Sequence, residues 1–212
     1  MAFQAAIFDM DGTLLESMGV WKDITTQFLN RRSIELTDAD VRKFRDMTLE
    51  ESLPLIVKMH NLTDTVEDVF AEFSALAADA YMNSIPMKPF AKEYIEKLHA
   101  AGVKIAIATS GYDKLCRGAL TRLGVMDKID AVALSSEVGV NKSNPDVYLL
   151  AARRLGAEPK DCMVFEDILI GIQGAKKAGM QTTAVADFSN ADEWEQLKNA
   201  ADRSIESWEE LL

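Results

Sequence analysis

Four short apolar runs, at 5–8, 104–108, 131–134 and 162–165, constrain this chain more than any other feature, because each gives way to charged or hydroxylic residues. Apolar runs of this length without polar alternation suit strands buried on both faces. A fifth run, 182–186, has the same character, and segments of helical periodicity at 91–100, 114–123, 145–155 and 169–178 stand between the runs. Strands alternating with helices specify a parallel sheet covered by helices on both sides. In such a sheet every carboxyl end lies on one edge. Residues far apart in the chain can therefore meet there.

The stretch 18–84 has a different texture. Trp21, Ile24, Phe28 and Leu29 recur at helical spacing, as do Leu53, Ile56 and Val57, and then Val66, Val69, Phe70, Phe73, Leu76, Ala77 and Ala80. Thr37–Asp40 reads as a helix start, and Asn61–Asp64 as a break followed by a new cap. The expectation is an α/β protein: a Rossmann-like parallel sheet core, residues 1–15 and 87–212, with an inserted all-helical cap over 16–86. Hinges fall at Leu15–Ser17 and Asn83–Met87. A module leaving and rejoining beside the first strand's carboxyl end would cover the site that open α/β sheets build there. The tail reads as a helix at 191–199 and a short terminal one at 207–212.

Composition narrows the partners. The 212 residues carry a net charge of -11, with no cluster of Lys and Arg among aromatics. That balance argues against nucleic acid and against anionic membrane surfaces. Residues 1–4 lack the charged and apolar regions of a secretory signal, and Cys116 and Cys162 stand in no metal-ligand spacing. A reduced, cytoplasmic setting is the expectation.

The strand ends carry the chemistry. The first delivers Asp9 and Asp11, the second Thr109 and Ser110, the third Lys142 after a loop, and the fourth Glu166 and Asp167. Each has a plain structural alternative. Asp-Gly makes a turn, a lysine solvates a loop, and an acid pair suits a helix start. Their coincidence at four strand ends is what the plain readings leave unexplained. A carboxylate approaching a phosphate dianion in a half-exposed site is repelled by about 4 kcal/mol per charge pair at 4 Å. A cation such as Mg²⁺, held by Asp9, Asp167 and a backbone carbonyl, would offset that repulsion and admit a phosphate. Lys142 adds a point charge, and Thr109 adds a hydroxyl and nearby amides.

The segments Asp9-Met10-Asp11-Gly12-Thr13, Thr109-Ser110-Gly111, Lys142-Ser143-Asn144-Pro145-Asp146 and Val164-Phe165-Glu166-Asp167, the last followed by Gly171-Ile172 and Ala178-Gly179-Met180, resemble the four motifs of the haloacid dehalogenase-like hydrolase superfamily. Their order matches members with a helical cap between the first two motifs. The resemblance implies Mg²⁺ dependence and an aspartyl-phosphate intermediate. It makes Asp9 the nucleophile and Asp11 the general acid/base, with Thr109, Ser110 and Lys142 on the phosphoryl group. It assigns the metal to Asp9, Asp167 and the Asp11 carbonyl, with Glu166 in or near that set. An acid at position 11 fits a phosphatase, which must protonate an alkoxide and then activate water. The family's true dehalogenases lack it. Departures from the usual motifs are Glu16 before Ser17, Ser143 after Lys142, and Ile168 after the final acids.

The implied substrate is a small phosphorylated metabolite, a sugar or polyol monophosphate. The alternative is an isomerase like the family's β-phosphoglucomutases. Those carry a cap histidine where Trp21 stands here, and a cap-loop arginine where Leu49 stands. A phospho-accepting signalling domain is a third, non-enzymatic reading. Trp21, Lys22, Arg45 and Met47 are the cap candidates for the substrate side, while His60 and His99 read as structural residues on helices.

Overall fold

In the computed structural model, residues 3–35, 37–44, 47 and 49–212 are described. Strand β1 (Ala5–Phe8) is followed by helices α1 (Met18–Asn30), α2 (Asp38–Phe44), α3 (Leu49–Met59) and α4 (Val66–Asn83). The chain then alternates: α5 (Ala91–Ala100), β2 (Lys104–Thr109), α6 (Asp113–Arg122), β3 (Ala131–Leu134), α7 (Ser135–Val138), α8 (Asp146–Leu155), β4 (Cys162–Glu166), α9 (Leu169–Lys177), β5 (Gln181–Val185), α10 (Trp194–Ala200) and β6 (Arg203–Ile205). The six strands form one sheet in the order β3-β2-β1-β4-β5-β6, and every pairing is parallel.

β1 is central, pairing Phe8 with Ile107 on one side and Phe165 on the other. Its alternating side chains divide between two layers. Ala6 and Phe8 join the larger cluster with Ile107, Phe165 and Trp208, while Ala5 and Ile7 join Ala106, Val147 and Val164 on the opposite face. Phe8 stacks on Phe165 with centroids 4.7 Å apart. Trp208, in the terminal 3-10 turn, closes that layer and donates from Nε1 to the Thr13 carbonyl at 3.1 Å. The last residues of the chain thus brace the loop that follows β1.

The passages into and out of the helical segment run side by side. Glu16 N donates to the Pro86 carbonyl at 3.1 Å and Lys88 N to the Leu14 carbonyl at 2.8 Å, with Leu15 and Met87 forming an antiparallel bridge. Ile24, Phe28, Leu53, Val69 and Phe73 are buried among these helices. No helix among the described residues is long and apolar enough to cross a membrane.

Four expectations need correction. Residues 203–205 form an edge strand, which three residues flanked by charge and turn gave no periodicity to reveal. Residues 135–138 form a helical turn rather than loop, its start tied by Glu137 Oε2 accepting from Leu134 N. The start of α4 is capped by Thr65, not within 61–64, because the Thr65 hydroxyl and the Asp68 carboxylate satisfy each other's backbone amides. His60 lies one residue beyond α3, whereas His99 is on α5. The expected start at Thr37 stands, with the same reciprocal bonding to Asp40.

Candidate active site

Parallel pairing brings the carboxyl ends of β1, β2, β3 and β4 to one edge, and the acids follow from it. Asp9 leaves β1 directly, held by its amide on the Phe165 carbonyl at 2.9 Å. Glu166 is the last residue of β4, and Asp167 follows it. Lys142 arrives from the loop between α7 and α8 and reaches all the way in, only 3% exposed. Its Nζ donates to Asp9 Oδ1 and, at 2.6 Å, to Glu166 Oε1. That loop can come so close because a Cβ on Gly174 of α9 would lie 2.0 Å from the Lys142 carbonyl oxygen.

Three carboxylates, those of Asp9, Glu166 and Asp167, present oxygens within 4.8 Å of one another, all buried. One ammonium cannot neutralise three. The shortfall is visible in the bonding: Glu166 Oε2 and Asp167 Oδ2 are buried with no hydrogen-bond partner among the described residues. Buried carboxylate oxygens left bare are costly, and a hard cation is the group that oxygen-only donors of this kind accept. The residues present fit a divalent metal. Gly12 makes room on the same side. With φ at +82° it holds a turn L side chains rarely adopt, and a Cβ there would sit 2.2 Å from Asp167 Oδ2.

The remaining bonds orient these acids. Thr13 Oγ1 donates to Asp167 Oδ1 at 2.9 Å, Tyr148 OH to Glu166 Oε1 at 2.7 Å, and Asn190 Nδ2 to the Asp167 carbonyl at 2.9 Å. Burial, with Asp9 beside it, lifts Glu166 above the ordinary glutamate value despite the Lys142 contact. Burial and the charges of Asp9 and Glu166 hold Asp167 well above the usual carboxylate range. Burial alone would pull Lys142 down, but Asp9 and Glu166 outweigh it and raise the ammonium above its ordinary value.

Asp11 and Thr109 meet at the next turn. A Cβ on Gly111 would lie 3.3 Å from Thr109 Oγ1 and 3.7 Å from Asp11 Oδ2, so both groups border one small space. Thr109 Oγ1 accepts from Gly111 N at 2.9 Å. Burial and the neighbouring Asp9 charge raise Asp11 from the ordinary aspartate value. Ser110 is exposed, and its hydroxyl pairs with that of Ser135 at 3.1 Å.

Asp9, Lys142, Glu166 and Asp167 thus come together at the sheet edge, with Asp11 and Thr109 at the adjoining turn, whereas Ser110 pairs with Ser135. Of the cap candidates, Lys22 is exposed on α1 and Met47 is half-buried between α2 and α3. Arg45 and the side chain of Trp21 lie outside what is described. Tyr81, Tyr148 and Asn190 were missed. Helical periodicity could mark Tyr81 and Tyr148 as buried, but nothing local signals which carboxylate each would meet.

Sheet order and the chemistry of its edge together define an α/β protein with a buried acidic site suited to a divalent cation at the carboxyl ends of its strands. A model of the haloacid dehalogenase-like hydrolase family matches residues 6–185, and the chain belongs to that family. It is 29% identical over 210 residues to the bifunctional riboflavin kinase/FMN phosphatase of Arabidopsis thaliana, covering 95% of this chain but 55% of that longer protein. It is 25% identical to the fructose-1-phosphate phosphatase of Escherichia coli, covering 86% of this chain and 96% of the relative. Among solved structures, CbbY from Rhodobacter sphaeroides in complex with phosphate has the same fold, with a TM-score of 0.84 at 23% identity over 99% of this chain and 96% of that one.

Proposed function

We propose that this chain is a Mg²⁺-dependent phosphatase that hydrolyses a small sugar or polyol monophosphate through an aspartyl-phosphate on Asp9. The observation that carries it is the buried triad of Asp9, Glu166 and Asp167 around Lys142, with two carboxylate oxygens left bare. Relatives named as phosphatases of small phosphorylated metabolites support the same class.

An Asp9 carboxylate oxygen attacks phosphorus, and the bond from phosphorus to the substrate oxygen breaks. Asp11 gives its proton to the departing alkoxide, a role favoured by a carboxyl whose pKa is raised. Asp11, now ionised, takes a proton from water as that water attacks phosphorus of the aspartyl-phosphate. Inorganic phosphate leaves and Asp9 is regenerated. Lys142 holds Asp9 in place and, with the Thr109 hydroxyl, faces the charge on the non-bridging oxygens. A divalent cation held by Asp9, Asp167 and the Asp11 carbonyl, with Glu166 beside them, would supply positive charge that lets an anionic carboxylate approach an anionic phosphate. Helices α1–α4 serve as the cap that excludes water and selects the substrate.

The test is phosphate release from a panel of hexose, pentose and polyol monophosphates and p-nitrophenyl phosphate, with Mg²⁺ or with chelator. Turnover that needs Mg²⁺ and disappears in Asp9→Asn is the expected result. Equal rates for both proteins would refute it.

A further inference from the structure

α4 brings a phenol to the edge of the site. Tyr81, in its last turn, is buried, and its hydroxyl donates to Asp11 Oδ1. The backbone of the same residue is held from the core: Arg122 of α6 donates from Nε to the Tyr81 carbonyl at 3.1 Å and from Nη2 to the Ile85 carbonyl. α4 and α6 pack together around this point. Phe70 meets Tyr112, just before α6, edge-on at 5.7 Å, and the Met82 sulfur occupies the space a side chain on Gly118 would need, 2.4 Å from where its Cβ would lie. Tyr81 is therefore fixed at its carbonyl by the core and at its hydroxyl on Asp11.

That arrangement makes the two oxygens of Asp11 unequal. Oδ1 accepts from Tyr81. Oδ2 turns toward the 109–111 turn, where the Thr109 hydroxyl borders the same space. An oxygen that accepts a phenol proton is a poor place to carry a proton of its own. We propose that Tyr81, held by Arg122, is a positioning residue for Asp11, occupying Oδ1 so that Oδ2 is the oxygen that gives the proton to the leaving group and later takes one from water. This rests on the acid/base role given to Asp11 above.

The test separates proton donation from general integrity. p-Nitrophenolate leaves without protonation, whereas a sugar or polyol alkoxide needs a proton. kcat/KM reports only the steps through the first bond cleavage, so slow hydrolysis of the aspartyl-phosphate does not enter it. Tyr81→Phe removes one oxygen and keeps the ring that fills the buried position. It is expected to lower kcat/KM about tenfold or more for the alkyl phosphate that wild type hydrolyses best, and less than about twofold for p-nitrophenyl phosphate. Arg122→Gln should show the same discrimination, and the double variant should lose no more than Tyr81→Phe alone, because one residue acts through the other. Equal losses on both substrates, no loss on either, or additive losses in the double variant overturn the proposal. A wild type with no turnover on any phosphate ester sinks the phosphatase reading itself, and is told apart by that.

Discussion

Lys142 Nζ lies 2.6 Å from Glu166 Oε1, and both side chains are almost wholly buried. With Asp9 on the same ammonium, one lysine joins carboxylates that leave two neighbouring strands, β1 and β4. The ammonium offsets part of the site's negative charge before any ligand binds and leaves the rest for a cation.

Removing that ammonium exposes the cost. Lys142→Met leaves buried carboxylates without their counter-charge, and breaking such a pair costs about 3–5 kcal/mol. The urea midpoint of the metal-free variant, followed by tryptophan fluorescence, should fall accordingly, with part of the loss recovered in Mg²⁺. An unchanged midpoint would show that Lys142 is not the stabilising charge.

Asp9→Asn keeps the shape of the side chain but removes the nucleophilic oxygen's charge. Turnover should fall at least about a thousandfold. Thermal unfolding should show a folded, cooperative protein, since an amide oxygen can still accept from Lys142. Residual activity near wild type would move the nucleophile elsewhere.

The bare oxygens of Glu166 and Asp167 predict stabilisation by a divalent cation. At a hundred times its dissociation constant, bound metal adds about 2.7 kcal/mol, readable as a rise in melting temperature on adding Mg²⁺ to chelator-treated protein. Gly12→Ala should weaken that rise, because the added methyl would stand 2.2 Å from Asp167 Oδ2 in a turn with φ of +82°. A metal-induced shift equal to wild type in Gly12→Ala would count against Asp167 as a ligand.

The helical segment has its own pH signature. Hydrogen bonds from the Thr37 hydroxyl and amide hold Asp40 below the ordinary carboxylate value. A lowered folded-state pKa stabilises above the unfolded value, about 3.9, and that contribution is lost as pH falls through the folded one. Thr37→Val should destabilise by about 1 kcal/mol at pH 6, and the gap to wild type should narrow as pH falls below the unfolded aspartate value without closing, because the Asp40 amide also loses the hydroxyl it donates to. A gap independent of pH would contradict the bond.

Much of the sheet edge was legible because its logic is one-dimensional. Apolar runs ending in Asp9, Thr109 and Glu166 announce strand ends, and parallel pairing alone carries those ends to one place. β6 was not legible, since Arg203–Ile205 is too short for a period and owes its state to pairing with β5. Nor were the partners of the acids: Tyr148 and Tyr81 reach Glu166 and Asp11 from residues 18 and 70 positions away.

By itself, then, the order of residues determined the layer architecture, the helical insertion after β1 and the identity of the acids, because these follow from local periodicity and from where each apolar run stops. Only the tertiary structure decided which carboxylate Lys142 neutralises, which oxygens stay bare for a cation, and that Tyr81 grips Asp11. Those outcomes depend on distances of a few ångströms between side chains on different elements, which packing sets and no local pattern encodes.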